Sequence, residues 1–334
     1  MSSGLFAVGI GGPRLTDAER AILAEDPPYG VILFRRNIED LEQLRRLIGE
    51  LRAVPVRFLF LDQEGGPVDR LSGILSATPS FQAAARAGEA RRLGDLAGEA
   101  LSTLGFDVDL APVVDRAVAG AGAVVLGERS ASPEAHEVLH AGGEFLAGLH
   151  SRGIGGCLKH FPGLGRATVD THRSLPSISP DPHEEALDLA PFDGLMHDAH
   201  AIMVSHAGGP DGLPASLSPE RATRLLRDRV GFEGAAFSDD LEMGALEAFG
   251  DLPERSALAA EAGCDLLFVC SRIADYPRCV AAVEASVSVA RRAEAKERLE
   301  DYARHLASLR QSASAARGPE TVAAQIREFA GDLA

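Results

Sequence analysis

The segment from Lys159 to Pro176, KHFPGLGRATVDTHRSLP, contains the densest group of side chains that could do chemistry. Lys159 and His160 follow an apolar run typical of a buried strand end, and a Pro- and Gly-rich loop then leads to Asp170 and His172. Because Asp170 and His172 are two residues apart, their side chains point to the same side in an extended segment. Alone, this spacing could be an incidental ion pair in a solvated loop. The cation and the imidazole in the same segment favour a general acid/base, because a neighbouring carboxylate stabilises the charged imidazole.

Polar side chains near the ends of other predicted strands form a second group of candidates. Asp62 follows the apolar run Phe58–Leu61, and a carboxylate there can accept hydrogen bonds from two neighbouring sugar hydroxyls. Arg70 could return to the same place, although a surface ion pair of little energetic value is the simpler interpretation. Arg129 lies on a loop between a strand and a helix, and alone it predicts little.

The pair Asp239 and Asp240 directly follows another apolar strand. A carboxylate at that point can attack an anomeric carbon and form a covalent glycosyl-enzyme. Successive side chains of a strand point in opposite directions, so we expect only one of the two to face the site. We expect the other to bind neighbouring backbone at the start of the next segment.

The composition excludes some partners and indicates a compartment. The formal net charge of -16 argues against nucleic acid and anionic membranes, because both attract clustered Lys and Arg. No apolar stretch reaches transmembrane length, and the N-terminus lacks a basic leader. The 4 cysteines form no C-x-x-C pair, which favours buried free thiols in a reducing compartment. We therefore expect a cytoplasmic protein.

Short apolar runs alternate with helical patterns in about eight strand–helix units. The sequence therefore predicts an α/β fold, a TIM-type (β/α)8 barrel, as one domain over residues 1–334 with a helical tail from about 276 to 334 packed on its outside. A doubly wound open sheet is the alternative, but no G-x-G-x-x-G follows an early strand. The predicted strands are Leu5–Ile10, Gly30–Phe34, Phe58–Leu61, Val108–Pro112, Ile154–Leu158, Ala201–Ser205, Ala235–Ser238 and Leu266–Val269. The predicted helices are Leu41–Arg52, Phe81–Leu104, Pro133–Arg152, His183–Asp198, Glu220–Val230 and Pro253–Ala262.

The sequence resembles the family 3 glycoside hydrolases, in particular their single-domain β-N-acetylhexosaminidases of bacterial cell-wall recycling. The matching stretches are GVILFRRN, LDQEGGPVDRL, APVVD, GERSASP, KHFPGLGRATVDTHRSLP, IMVSHAG, PASLSP and GFEGAAFSDDLEMGA, in the family's order. Three positions depart from the family's usual pattern, namely Pro67, Ala131 and Leu164. All three lie near the predicted mouth of the barrel, and none of them removes a catalytic position.

The resemblance also implies roles for individual residues. Asp239 corresponds to the nucleophile, and His172 to a histidine acid/base on a mobile loop with Asp170 as its partner. The positions that hold the non-reducing N-acetylglucosamine correspond to Asp62, Arg70, Arg129, Lys159 and His160. No metal and no organic cofactor is expected.

These observations predict a retaining exo-β-N-acetylglucosaminidase that acts on muropeptide-type cell-wall fragments. Its carbohydrate substrate is the one expected partner. A phosphorylase with the same site is an alternative, because a histidine acid/base tolerates an anionic acceptor that a carboxylate would repel. Another alternative is a catalytically weakened sugar-binding or scaffold protein. The joint presence of Asp239, Asp170 and His172 argues against it.

Overall fold

The computed structural model describes residues 2–118, 125–167, 176 and 181–333. Within them the strands are β1 (Phe6–Gly9), β2 (Gly30–Ile32), β3 (Phe58–Leu61), β4 (Gln63–Gly65), β5 (Val68–Asp69), β6 (Val108–Asp109), β7 (Leu158–Phe161), β8 (Ala201–Val204), β9 (Ala235–Asp240) and β10 (Leu266–Val269). The helices are Asp17–Glu25, Leu41–Arg52, Phe81–Arg86, Ala90–Leu104, Ala135–Ser151, Pro182–Ala199, Glu220–Arg229, Leu252–Ala262, Tyr276–Ser286, Val289–Ser312 and Pro319–Asp332. None of these helices is long and apolar enough to cross a membrane.

Eight of the strands form one parallel sheet in the order β6-β3-β2-β1-β10-β9-β8-β7. Two isolated parallel bridges, Val108 with Gly155 and Val113 with Lys159, join the segments of β6 and β7 at the two edges of this sheet. The ring therefore follows the chain order, with β10 returning to β1. The predicted TIM-type barrel is confirmed. We call the end where the strands finish the mouth, and the opposite end the N-terminal end.

Local sequence signals explain where several helices begin. Helix Leu41–Arg52 has the predicted bounds, and the Asp40 carboxylate caps it by accepting from the Gln43 amide. Thr16 and Glu19 form a capping box at the start of Asp17–Glu25, a helix that the pattern of apolar runs did not reveal.

Two predicted elements differ from the structure in more than their end residues. The helix expected over Phe81–Leu104 is two helices, because Gly88 between them adopts a φ of 74°, which ends the first. The strand expected over Ile154–Leu158 is shifted to Leu158–Phe161. The apolar pattern ends at Leu158, but the strand continues because the polar side chains after it are buried against carboxylates.

The interior of the barrel below the mouth is aromatic, although aromatic residues make up only 5% of the chain. The rings of Phe60, Phe237 and Phe268 contact one another, with centroids 5.7 to 6.2 Å apart. Tyr302 from helix Val289–Ser312 reaches the same cluster, 5.5 Å from the Phe237 ring. The four cysteines are buried and unpaired, as expected.

Helix Val289–Ser312 packs across the N-terminal end of the barrel. The Tyr302 hydroxyl donates to the Gly156 carbonyl at 3.2 Å, and Tyr29 donates to the carbonyl of Leu299 at 2.8 Å. Arg291 of the same helix donates to the buried Asp265 carboxylate at 2.8 Å. The helix therefore covers the N-terminal end and leaves the mouth as the open end.

Candidate active site

The mouth of the barrel contains a cavity of about 220 Å³. Side chains from the ends of β3, β6, β7, β9 and β10 and from the loops that follow them converge here, as expected for the functional end of such a barrel. The polar residues that line the cavity are Asp62, Glu64, Arg70, Arg129, Lys159, His160, Asp239 and Asp240.

A buried network of charges forms one wall of this cavity. Glu64 accepts two hydrogen bonds from Arg129, at 2.8 and 2.9 Å. Its Oε1 also lies 2.5 Å from Nζ of Lys159, which donates to Asp62 at 2.7 Å. Because Arg129 binds in a two-pronged geometry, Glu64 fixes the position of the guanidinium as well as that of the ammonium group.

These groups hold one another in their charged forms. Burial alone would raise the pKa of Glu64, but Arg129 and Lys159 hold it well below its usual range. Burial would lower the pKa of Lys159, but Asp62 and Glu64 raise it above its ordinary value. The pKa of Arg129 is likewise raised by Glu64 against the effect of burial. The wall therefore keeps its charges at neutral pH.

Arg70 reaches the same wall from β5. Its side chain comes no closer to Asp62 than an Nη2–Oδ2 distance of 3.9 Å, and its buried Nε has no hydrogen-bond partner among the described residues. A loosely held guanidinium of this kind has donors left for a bound hydroxyl.

His160 is oriented by the buried carboxylate of Asp115, which is not among the residues that line the cavity. Its Nδ1 and its backbone amide both lie within hydrogen-bonding distance of Asp115 Oδ2, at 2.7 and 3.1 Å. Nε2 lies 3.3 Å from Nη2 of Arg129, which can only donate. We therefore assign the proton to Nδ1, so that Nε2 accepts from Arg129.

Asp109 at the end of β6 is a buried acid beneath this wall. One of its oxygens accepts from the Gln63 amide at 2.9 Å, and the other has no partner among the described residues. Burial raises the pKa of Asp109 well above its ordinary value, and the nearby charges of Asp62 and Glu64 raise it further. Burial therefore favours the neutral form of Asp109, whereas Glu64 is held in its charged form.

Asp239 and Asp240 both line the cavity, although only one of them was expected to face the site. A bulge in β9 breaks the alternation of side chains: Phe237 lies opposite Leu266, but Asp240 lies opposite Phe268. The second part of the expectation is confirmed, since the Asp240 carboxylate accepts from the Glu242 amide at 3.1 Å.

The two neighbouring carboxyls differ in their surroundings. Burial raises the pKa of Asp240 to about 7, and the charges of Glu242 and Asp239 add to this effect. Asp239 Oδ1 accepts a hydrogen bond from the Asp240 amide at 2.8 Å, which favours its charged form. Near neutral pH the Asp240 carboxyl is therefore partly protonated.

The structure brings six of the predicted site residues to one cavity: Asp62, Arg70, Arg129, Lys159, His160 and Asp239. The predicted acid/base pair, Asp170 and His172, lies outside the described residues. The sequence reasoning gave no role to Glu64 or Asp115, which hold the cations and the imidazole. Both follow predicted strands, a position that places them at the mouth of the barrel but does not reveal their partners.

The three departures from the family pattern lie at or near the mouth. Leu164 lines the cavity, and its amide donates to Asp115 at 2.8 Å. Ala131 is buried on the loop after Arg129. Pro67 is exposed in the turn between β4 and β5.

Helix Ala135–Ser151 begins with HEVLH, a spacing whose two histidines bind zinc in some metalloproteases. Both of its histidines, His136 and His140, are exposed, and the carboxylate of Glu137 accepts from the Ser132 hydroxyl. Among the described residues, no three His, Cys, Asp or Glu side chains are placed to hold a metal ion.

A parallel barrel with carboxylates and cations around a small cavity at its mouth is the architecture of an α/β-barrel enzyme site. Residues 4–309 match the glycosyl hydrolase family 3 N-terminal domain. A β-hexosaminidase of Thioalkalivibrio sulfidiphilus is 36% identical over 318 residues, covering 89% of this chain and 90% of the relative. The chain belongs to glycosyl hydrolase family 3, and it is a glycoside hydrolase of the β-hexosaminidase type.

Solved structures agree with this assignment. A family 3 β-N-acetylglucosaminidase of Paenibacillus superimposes with a TM-score of 0.85 at 30% identity, covering 98% of this chain and 68% of the other. NagZ of Neisseria gonorrhoeae, solved in complex with N-trifluoroacetyl-D-glucosamine, gives a TM-score of 0.79 at 29% identity, covering 99% of this chain and 96% of the other.

Proposed function

We propose that the chain is a retaining exo-β-N-acetylglucosaminidase that releases terminal N-acetylglucosamine from cell-wall fragments of the muropeptide type. The observation that carries the proposal is that Asp239 lines the same cavity as Asp62, Arg129 and Lys159. A nucleophilic carboxylate thereby faces donors and acceptors suited to sugar hydroxyls. The glucosamine derivative bound by the Neisseria relative supports an N-acylated sugar as the ligand.

The size of the cavity supports an exo mode of attack. Its volume of about 220 Å³ lies below the roughly 300 to 1,000 Å³ of pockets for drug-sized ligands. Such a cavity suits one terminal sugar, with the rest of the substrate outside. Asp62 would accept hydrogen bonds from two adjacent hydroxyls, while Lys159, Arg70 and Arg129 would donate to the sugar's oxygens.

The proposed reaction is a double displacement. A carboxylate oxygen of Asp239 attacks C1 of the sugar as the bond from C1 to the leaving oxygen breaks, and His172 gives its proton to that oxygen. In the second step His172 takes a proton from water, the water oxygen bonds to C1, and the Asp239 carboxylate is released. Asp170 would hold the imidazole and stabilise its charged form. The roles of His172 and Asp170 rest on the resemblance of their segment to the family.

Replacement of the nucleophile tests the proposal directly. Asp239→Asn is expected to keep the fold and to lose turnover of an aryl β-N-acetylglucosaminide by several orders of magnitude, because an amide cannot form the covalent intermediate. Asp240→Asn is the matched control, with a smaller loss. The measurement is kcat/KM, with and without phosphate and beside an aryl β-glucoside. An active Asp239→Asn with an inactive Asp240→Asn would refute the assignment, and acceleration by phosphate would indicate a phosphorylase.

A series of leaving groups tests the acid/base role of His172. A nitrophenolate leaves with little protonation, whereas a sugar alkoxide needs a proton in the transition state. His172→Ala should therefore lose far more kcat/KM on a disaccharide-type glycoside than on an activated aryl glycoside, and Asp170→Ala should do so more mildly. Lys159→Ala should weaken both substrates about equally, because the sugar it binds is common to both. If kcat/KM of His172→Ala depends on the pKa of the leaving group in the same way as kcat/KM of the wild type, His172 is not the acid.

A further inference from the structure

The strand segment that contains Asp239 lies outside the regular hydrogen-bond ladder of the barrel. Regular pairing of β9 with β8 ends at Ser238, opposite Val204. On the other side, the register with β10 shifts by one residue between Phe237 and Asp240. Asp239 thus sits in a bulge, and the direction of its side chain depends on whatever holds the bulged backbone.

On the β10 side, a serine side chain replaces the missing ladder contact. The hydroxyl of Ser238 accepts from the amide of Phe268 at 3.0 Å, and the amide of Leu241 donates to the Phe268 carbonyl at 3.1 Å. Ser238 is completely buried. The bulge is therefore fixed to β10 both before and after Asp239.

On the β8 side, a histidine side chain holds the bulge. Nε2 of His206 lies 2.8 Å from the carbonyl oxygen of Asp240, and its Nδ1 lies 2.7 Å from the hydroxyl of Ser216. A carbonyl oxygen only accepts, so Nε2 carries the proton, and in the neutral imidazole Nδ1 then accepts from the Ser216 hydroxyl. His206 is completely buried, and the amide of Ser216 donates to the carbonyl of Ser205, which ties this loop to the end of β8.

We propose that His206 is a positioning residue for the nucleophile: through the Asp240 carbonyl it fixes the bulge that aims Asp239 into the mouth. The inference rests on the proposed role of Asp239. Its physical basis is that attack on C1 needs the carboxylate oxygen near van der Waals distance and in line with the bond that breaks. A backbone held only on the β10 side could rotate and turn the carboxylate away without any loss of sugar binding at Asp62 and Lys159.

Two substitutions of His206 separate positioning from general stability. His206→Leu removes the donor to the Asp240 carbonyl, and kcat should fall by about 10²-fold, a loss typical of reacting groups misplaced by about 1 Å. KM should change little, because the groups that bind the sugar are untouched. His206→Gln can offer an amide N–H in place of Nε2–H, so it should recover most of kcat. The readouts are kcat, KM and Tm, with kcat normalised to the folded fraction.

Two further variants keep the test decisive if His206→Leu does not fold. Ser216→Ala removes the donor to Nδ1 and should lower kcat by several-fold with KM unchanged. His305→Phe, a partly buried histidine at the other end of the barrel, is the matched control and should leave kcat unchanged. Equal kcat in folded His206→Leu, His206→Gln and wild type would overturn the inference, as would a wild-type kcat in Ser216→Ala when His206→Leu is unfolded.

Failure of the proposed function gives a different result. If Asp239→Asn in the same series remains active, the nucleophile assignment itself is wrong. If Asp239→Asn is inactive but the His206 and Ser216 variants turn over normally, only the positioning role is lost.

Discussion

Buried charge occurs at both ends of the barrel, but the two ends use it differently. At the N-terminal end, Asp265 accepts from Arg227 and Arg291 at 2.8 Å and from the Ala236 amide at 2.9 Å. Arg291 belongs to the helix that covers this end, so the charges join one element of the fold to another. At the mouth, Glu64 is buried as deeply between Arg129 and Lys159, but these two cations also line the cavity.

The difference shows that residue type and burial do not by themselves distinguish a structural ion pair from a binding site. Both acids are buried, and each contacts more than one cation: Glu64 contacts two, and Asp265 contacts Arg227, Arg291 and Arg298. The two acids differ in what surrounds their cations. The cations at the N-terminal end bind other parts of the protein, whereas the cations at the mouth also line a cavity. A buried carboxylate at the mouth therefore has two effects, since it stabilises the fold and also holds donors in position for a ligand.

Neutralising Glu64 should give the largest combined effect on stability and activity. Glu64→Gln leaves two buried cations without their shared carboxylate, and loss of one partner from such a network typically costs about 3 to 5 kcal/mol of unfolding free energy. Arg129 and Lys159 would also lose their fixed positions, so kcat/KM should fall by about 10²-fold. Chemical denaturation and steady-state kinetics measure the two effects.

Asp265→Asn is the matched variant at the N-terminal end. It should destabilise the fold by a similar amount and leave kcat/KM of the folded enzyme near the wild-type value. Equal losses of kcat/KM in the two variants would show that both act through stability alone, and the contrast between the ends would disappear.

The barrel itself could be predicted from the sequence because its determinants are local. Each strand is a short apolar run, and a helix such as Leu41–Arg52 combines a capping aspartate with apolar residues on one face. The pattern failed at β7, where Lys159 and His160 continue the strand. Their burial depends on Asp62 and Asp115, which lie far away in the sequence, so no local rule could reveal it.

The candidate site was only partly predictable for the same reason. The positions of the strand ends predicted Asp62 and Asp239 as site residues. The resemblance to family 3 predicted Arg70 and Arg129. The pairing of Glu64 with Arg129 spans 65 residues and exists only once the barrel closes. The bulge at Asp239 depends on the pairing of β9 with β10, and the alternation of side chains along a regular strand does not predict it.

Acid should weaken the N-terminal end through a cluster of histidines. His305 stacks on His200 with centroids 3.9 Å apart, and His150 contacts it edge-on. Burial lowers the pKa of His150 to about 4, and burial together with the other two histidines lowers the pKa of His305 to about 3. The unfolded chain therefore binds more protons below pH 6.5, and stability should fall as the pH drops from about 6.5 towards 4.

His305→Phe tests this prediction, because it keeps a stacked ring and removes one titrating group. The loss attributable to His305 should be on the order of 1 kcal/mol at pH 5.5. The free energy of unfolding of the variant should thus depend less on pH between 6.5 and 4. If the free energy of unfolding falls with pH equally in the variant and the wild type, the proposed role of the cluster is wrong.

The smallest effect is expected at Asp109, which tests whether a buried acid beneath the mouth is neutral. The folded protein keeps the proton of Asp109 to a higher pH than the unfolded chain does, so its contribution to stability falls as the pH rises above about 4. Asp109→Asn removes this penalty and can still accept from the Gln63 amide. The variant should lie within about 1 kcal/mol of the wild type at pH 4 and gain stability relative to it by pH 7, the opposite sign to Glu64→Gln. Denaturation at the two pH values measures the difference. A loss that grows from pH 4 to pH 7 would mean that Asp109 is an ionised partner of Lys159, as Glu64 is.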